Sequence, residues 1–184
     1  RSTLFPYTTL FRSSIMGAEM SFNDLSEKIG IDVNADNIAN KAKTVKSLIR
    51  KNLSKFNSTG HSAMSLIDCM DSLSARGTKI YISEGNGGAE QFNWMALIDN
   101  SINVGSINKK GKIKKSSENH SLVNRFVRDF LPLNKTKNGY SINTGYGNIN
   151  INKKDCSGLF HITKRKGYDG TSFASPKALV EDLK

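Results

Sequence analysis

The sequence predicts an α/β fold with a mostly parallel sheet, and three neighbouring features carry that prediction. Between Ser62 and Gly77 the apolar residues Ala63, Leu66, Ile67, Met70 and Leu73 recur at helical spacing and fall on one face of a helix. The run Ile80-Tyr81-Ile82 follows at once, and a short continuous apolar run suits a strand covered on both faces, as in a parallel sheet. Directly after it comes Glu84-Gly85-Asn86-Gly87-Gly88, a glycine-rich loop at the carboxyl end of that strand, where open α/β sheets place their chemistry.

The bulk numbers bound the rest. At 184 residues and 37% hydrophobic, the chain is long enough for one domain, or part of one, with a real core, and too short for two comfortable ones. Cys69 and Cys156 make neither a disulfide framework nor a metal-binding cluster; one bridge and two thiols are both open. No run approaches the length of a membrane-spanning helix, and the first residues lack the basic start and apolar core of a signal peptide. The formal charge of +11 raises nucleic acid or a membrane surface as partners. Lys109, Lys110, Lys112, Lys114 and Lys115 cluster, as do Lys153 with Lys154 and Lys164 with Arg165 and Lys166. They lie among glycine, asparagine and serine without aromatic residues spaced to stack bases, so solvated basic loops are the better reading.

Taken in order, Thr3 to Ser13 resembles the conceptual translation of a sequencing adapter, and residues 1–13 are set aside as an artefact. A reading frame entering through such a junction is expected to have lost its native beginning. Met16 to Phe22 predicts a short strand, with Asn23-Asp24 ending it or capping the next element. From about Asp36 to Leu53, Ile38, Ala42, Val45 and Ile49 share one face of a helix whose remainder carries Lys41, Lys43, Lys46 and Lys51. The apolar face is small and lacks an aromatic anchor, which favours a surface helix over a membrane-binding one. Residues 14–59 are read as a poorly assigned segment, an insertion in the domain that occupies 60–184. Asn57 to Gly60 is read as a loop, and Gly77 as the left-handed stop of the helix from Ser62.

Asn100 to Ile107 predicts the next strand, in which Asn103 needs a polar partner. Lys109 to Ser117 would be a surface loop. Tyr140-Ser141-Ile142-Asn143 and Asn148-Ile149-Asn150-Ile151 alternate as short hairpin strands do. Gly170-Thr171-Ser172-Phe173-Ala174-Ser175-Pro176 then joins a glycine for a tight turn, a hydroxyl, and small residues that start a close-packed helix. Orphan N–H groups and the positive dipole end at such a helix start favour an oxyanion beside Ser172. The plainer alternative is that Thr171 or Ser172 only caps the helix.

Gly-Thr-Ser-x-Ala-Ser-Pro at residues 170–176 resembles the nucleophile motif of the subtilisin-like serine proteases, the subtilases or peptidase S8 family. It is unlike the Gly-x-Ser-x-Gly elbow of α/β-hydrolases, because Ala174 stands where the second glycine would be. Gly85-Asn86-x-Gly88 is similar to the subtilase segment ending Gly-Asn-x-Gly, although Ser83-Glu84 replace the usual small apolar pair. Asn100 to Ile107 resembles the family's next strand. Val127 to Leu133 takes the place of its Asp-x-x-Ala-Pro-Gly stretch, with Asp129 and Pro132 partly in register. Glu19-Met20-Ser21-Phe22 is faintly similar to the strand that edges the family's substrate cleft. The resemblance covers residues 60 to 182 and is dense only at these anchors.

That resemblance implies a three-layer subtilisin-like fold, incomplete at both ends, and a serine endopeptidase acting through an acyl-enzyme. Ser172 would be the nucleophile, with Asn86 and the Ser172 backbone N–H as oxyanion hole. Asn86 suits the role because a neutral amide donates to negative charge without titrating. The partner implied is a peptide or protein substrate, with secretion or the cell envelope as location. No cofactor and no metal ligand is read from the residues; structural calcium is known in the family. The base is a separate question. His61, preceded by Asp32 and Asp36, lies too close to Asn86 in sequence for the family's order, and His120 and His161 follow Asn86. Aspartate and histidine are therefore expected upstream, and the chain as it stands is expected not to hydrolyse peptides. The alternative is a non-catalytic subtilase-like module whose basic loops hold an acidic partner.

Overall fold

The computed structural model describes residues 19–143, 147–152, 167–168 and 170–182. Strand β1 (Glu19–Ser21) runs straight into helix α1 (Phe22–Ile29), because the Ser21 side chain accepts the N–H of Asp24 and caps the helix. The strand expected from Met16 to Phe22 thus yields Phe22 to α1, with Ser21 rather than Asn23 or Asp24 as the cap. Gly30 ends α1 in the left-handed region at φ 75°, which its missing Cβ permits. Helix α2 (Ile38–Lys51) fills the amphipathic stretch and buries Ile38, Val45 and Ile49.

Helix α3 (Ser58–Ala75) begins four residues earlier than its apolar periodicity suggests. Asn57 accepts the N–H of Gly60 at 3.1 Å, so Asn57 to Gly60 is a cap and first turn rather than a loop. Gly60 permits close packing there: a Cβ would stand 2.9 Å from the Cβ of Phe56 and 3.1 Å from the Trp94 ring. Beyond the left-handed Gly77, strand β2 (Tyr81–Ser83) is buried throughout. Strand β3 (Gln91–Asn93) pairs antiparallel with β1, and a 3-10 turn, Trp94–Leu97, leads toward β4 (Ile102–Ile107). Strand β5 (Arg125–Arg128) comes next.

β2, β4 and β5 form a three-stranded parallel sheet in that order, with Tyr81 opposite Ile102 and Val104 opposite Arg125. Asn103, a buried polar residue of β4, has partners at both ends of its amide. Ser101 Oγ donates to its Oδ1 at 2.8 Å, and its Nδ2 donates to the carbonyls of Ala96 and Leu122. The alternation of β2 divides the core between two faces. Ile80 and Ile82 join the large cluster built with α1, α2 and α3, whereas Tyr81 packs with Val104, Val127, Ala174 and Ala178. The last two belong to α4 (Thr171–Asp182), which covers the opposite face of the sheet. Residues before 59 and after 60 share the large cluster, since Leu25, Val45 and Ile49 pack with Ile67 and Met64.

The parallel sheet is accompanied by antiparallel pairing. Strands β6 (Leu131–Thr136), β7 (Gly139–Asn143), β8 (Asn148–Asn152) and β9 (Gly167–Tyr168) form a four-stranded antiparallel sheet in the order β8-β7-β6-β9. The β7–β8 hairpin pairs Ile142 with Ile149 and Asn143 with Asn148, as the alternation predicts. No helix among the described residues is long and apolar enough to cross a membrane. His161, Cys156 and the basic residues 153–154 and 164–166 lie outside the described residues.

Candidate active site

Two segments far apart in sequence meet at the carboxyl end of the parallel sheet: the loop leaving β2 and the first turn of α4. Gly170 precedes the helix at φ 129°, a conformation that side chains rarely adopt. From there the chain enters α4 with Thr171 buried and Ser172 half-buried in its first turn. Four hydrogen bonds hold this turn. Thr171 N donates to Asn86 Oδ1 at 3.2 Å, and Gly85 N donates to Thr171 Oγ1 at 3.1 Å. Ser83 Oγ donates to the Thr171 carbonyl at 3.2 Å, and Gly170 N donates to Asp129 Oδ2 at 2.6 Å. Donors that a helix start leaves orphaned are thereby satisfied from β2 and from beyond β5.

Asp129, fully buried, is itself neutralised by Lys114, whose Nζ lies 2.7 Å and 2.8 Å from the two carboxylate oxygens. A buried carboxylate needs such a partner. Pro176 lies inside α4 and has no N–H, so the i−4 carbonyl, that of Ser172, has no helical donor.

Asn86 is exposed and Ser172 stands in the helix turn that Asn86 caps, so the two residues selected from the motifs are brought to one place. The amide orientation is assigned from the bonds it makes. With Oδ1 accepting from Thr171, the Nδ2 group is left as the donor. A Cβ on Gly170 would stand 3.5 Å and 3.6 Å from the amide oxygen and nitrogen of Asn86, so the amide packs over the glycine.

The candidate bases go elsewhere. His61 lies within the first turns of α3, and its Nε2 is 2.9 Å from the carbonyl oxygen of Leu53. Asp32 lies before α2 and meets Asn37 and Lys41. His120 is buried with two carboxylates that the motifs did not single out. Its Nε2 lies 2.9 Å from Glu84 Oε2 and 3.8 Å from Glu118 Oε2, and all three side chains are excluded from solvent. Burial alone would lower the His120 pKa, but the polar contact and charge of Glu118 and Glu84 outweigh it and push it up to about 9. Burial pushes Glu118 up to about 7, helped by the charges of Glu84 and Glu19 and opposed by His120. Glu84 is also raised, by burial first, against the lowering effect of His120. The one signal in the sequence was Glu84 itself, an acid where small apolar residues would suit a buried strand end.

No protein-family model and no curated protein matches this chain. What it does must therefore be argued from these residues.

Proposed function

We propose that this chain carries the nucleophile and oxyanion-hole part of a serine endopeptidase, in a three-layer subtilisin-like fold. The observation that carries the reading is the 3.2 Å bond from Thr171 N to Asn86 Oδ1, which sets a neutral amide donor beside the helix turn that bears Ser172. The layering of α1 to α3, the parallel sheet and α4 is consistent with it.

In this reading Ser172 Oγ attacks the carbonyl carbon of the scissile peptide and gives its proton to an imidazole. The carbonyl oxygen becomes an oxyanion, accepting from Asn86 Nδ2 and from Ser172 N at the positive end of α4. Collapse of that intermediate breaks the C–N bond, the amine takes the proton from the imidazolium, and an acyl-enzyme remains on Ser172 for water to hydrolyse. The hydrogen bonds through Thr171 and Asp129 would keep the donors in place before substrate arrives, which is where such electrostatic stabilisation has its effect.

This reading takes the base from another segment, since His61 meets the Leu53 carbonyl and His120 meets Glu84. Two lysines of the basic cluster already have partners. Lys114 is committed to Asp129, and Lys109 Nζ lies 4.6 Å from the centre of the Phe130 ring. The test is to read the native locus across residues 1–13 and assay the protein it encodes. An aspartate and a histidine upstream, with peptide hydrolysis abolished by Ser172→Ala in a protein that stays folded, is the expected result. Hydrolysis unchanged by Ser172→Ala removes Ser172 from the mechanism, and a native gene without those two residues removes the peptidase reading.

A further inference from the structure

We propose that Glu84, Glu118 and His120 form a binding site for a first-row divalent cation of the zinc type. The three buried side chains each offer one ligand atom, and these atoms lie within 4.8 Å of one another. Zinc bonds to imidazole nitrogen and carboxylate oxygen are about 2.0–2.2 Å, so donors at the corners of a tetrahedral shell stand about 3.3–3.6 Å apart. The 2.9 Å and 3.8 Å separations of His120 Nε2 from Glu84 and Glu118 bracket that spacing, and the longest separation, within 4.8 Å, has to close by on the order of 1 Å through side-chain rotation.

Unmet bonding makes this more than a chance meeting of acids. Both oxygens of Glu84, both oxygens of Glu118 and both ring nitrogens of His120 are buried, and among the described residues none has an aligned hydrogen-bond partner. The 2.9 Å approach of His120 to Glu84 is close in distance but out of line for an N–H···O bond. Buried carboxylates without donors are costly, and one imidazolium balances only one of the two. A dication neutralises both and takes the imidazole lone pair.

The surroundings fit a held ligand set. Phe22 and Phe92 meet the His120 ring edge-on, with centroids 5.9 Å and 6.3 Å away, and so orient it. Gly85 leaves room for the carboxylates: a Cβ there would stand 2.6 Å from Glu19 Oε1 and closer still to Glu118 Oε1. Glu19 Oε1 stands beside the Glu118 carboxylate at the edge of the cluster, outside the set of three whose ligand atoms meet within 4.8 Å. An imidazole among carboxylates favours zinc-type ions over calcium or magnesium, which prefer all-oxygen shells.

The ion would tie the end of β2 to the loop before β5, two residues from Asn86. The site does not rest on the peptidase reading, since its readout is stoichiometry and affinity rather than turnover.

The experiment is calorimetric titration of the chelator-treated 184-residue chain with Zn²⁺, and separately with Ca²⁺, alongside Glu84→Gln and Glu118→Gln. One Zn²⁺ per chain is expected, bound at least tenfold more tightly than Ca²⁺ and weakened at least tenfold in each variant. Both variants remove buried charge, so they should melt no lower than the metal-free parent while losing its zinc-dependent rise in melting temperature. Substitution with Co²⁺ should give visible absorption bands in the parent, a readout that needs no variant to fold. No saturable zinc binding by the parent overturns the proposal. So does affinity unchanged in both variants, which would place the zinc elsewhere, and tighter binding of Ca²⁺ overturns the metal class.

Discussion

The amide oxygen of Asn86 accepts the backbone N–H of Thr171 at 3.2 Å, across 85 positions of sequence, and so joins the loop after β2 to the first turn of α4. One amide would thereby serve two ends in the proposed mechanism: its oxygen caps a helix and its nitrogen is left as a donor. The two roles separate on substitution. Asn86→Asp keeps the acceptor and removes the donor, so unfolding in urea should stay within about 0.5 kcal/mol of the parent. Peptide turnover by the intact protein should fall about a hundredfold to a thousandfold, and a smaller loss argues against Asn86 as an oxyanion donor.

Thr171 is buried, and its hydroxyl is the acceptor for the N–H of Gly85. Thr171→Val preserves shape but strands that buried N–H, which costs about 1–3 kcal/mol. Thr171→Ser keeps the oxygen and should recover most of the loss. Denaturant midpoints of the three proteins decide it; equal effects of valine and serine would point to packing rather than to the hydrogen bond.

Lys46 is a buried lysine in the large core cluster's neighbourhood, with Asp71 at 2.7 Å and Asp99 at 2.9 Å. The aspartates differ: the Asp71 side chain is 19% exposed and also accepts the N–H of Asp99, whereas the Asp99 side chain is 51% exposed. Lys46→Ala should destabilise by about 3 kcal/mol, because it leaves a mostly buried carboxylate without its cation. Asp99→Asn should cost less than about 1 kcal/mol, as exposed pairs do, and Asp71→Asn should fall between. The order among the three urea midpoints is the check.

Tyr81 donates its hydroxyl to Asp182 Oδ2 at 2.5 Å from within the smaller core cluster. Burial, then the bond and charge of Asp182, push the phenol up from 10.0 to about 12. A raised pKa means the folded state holds the proton more tightly. The resulting stabilisation is fully present below pH 10 and is lost as pH rises from 10 toward 12. Its size is on the order of 2 kcal/mol. Tyr81→Phe has no phenol to titrate, so the stability gap between parent and variant should narrow over that interval; a constant gap would show that Tyr81 titrates normally.

Local pattern carried much of the fold. The periodicity of α2, the apolar run of β2, the alternation of β7 and β8 and the glycine stop at Gly77 depend on neighbours in sequence, and each is found where the pattern places it. Element starts were less legible. Ser21 and Asn57 turn a strand end and a loop into helix caps through side-chain bonds that hydropathy does not register.

Ser172 and Asn86 were legible as candidates because each sits in a short motif with its own chemical logic. Their meeting was not, since it depends on how β2 and α4 pack, and neither segment encodes the other's position. The buried cluster was the least legible of all. Glu118 and His120 stand two positions apart in one loop, but Glu84 lies 34 positions earlier, and only the fold brings the two segments together. Sequence distance governs helices, strands and turns because their bonds are local. Burial, pKa and the convergence of charged groups depend on distance in space, and these arise only when the sheet and helices close over them.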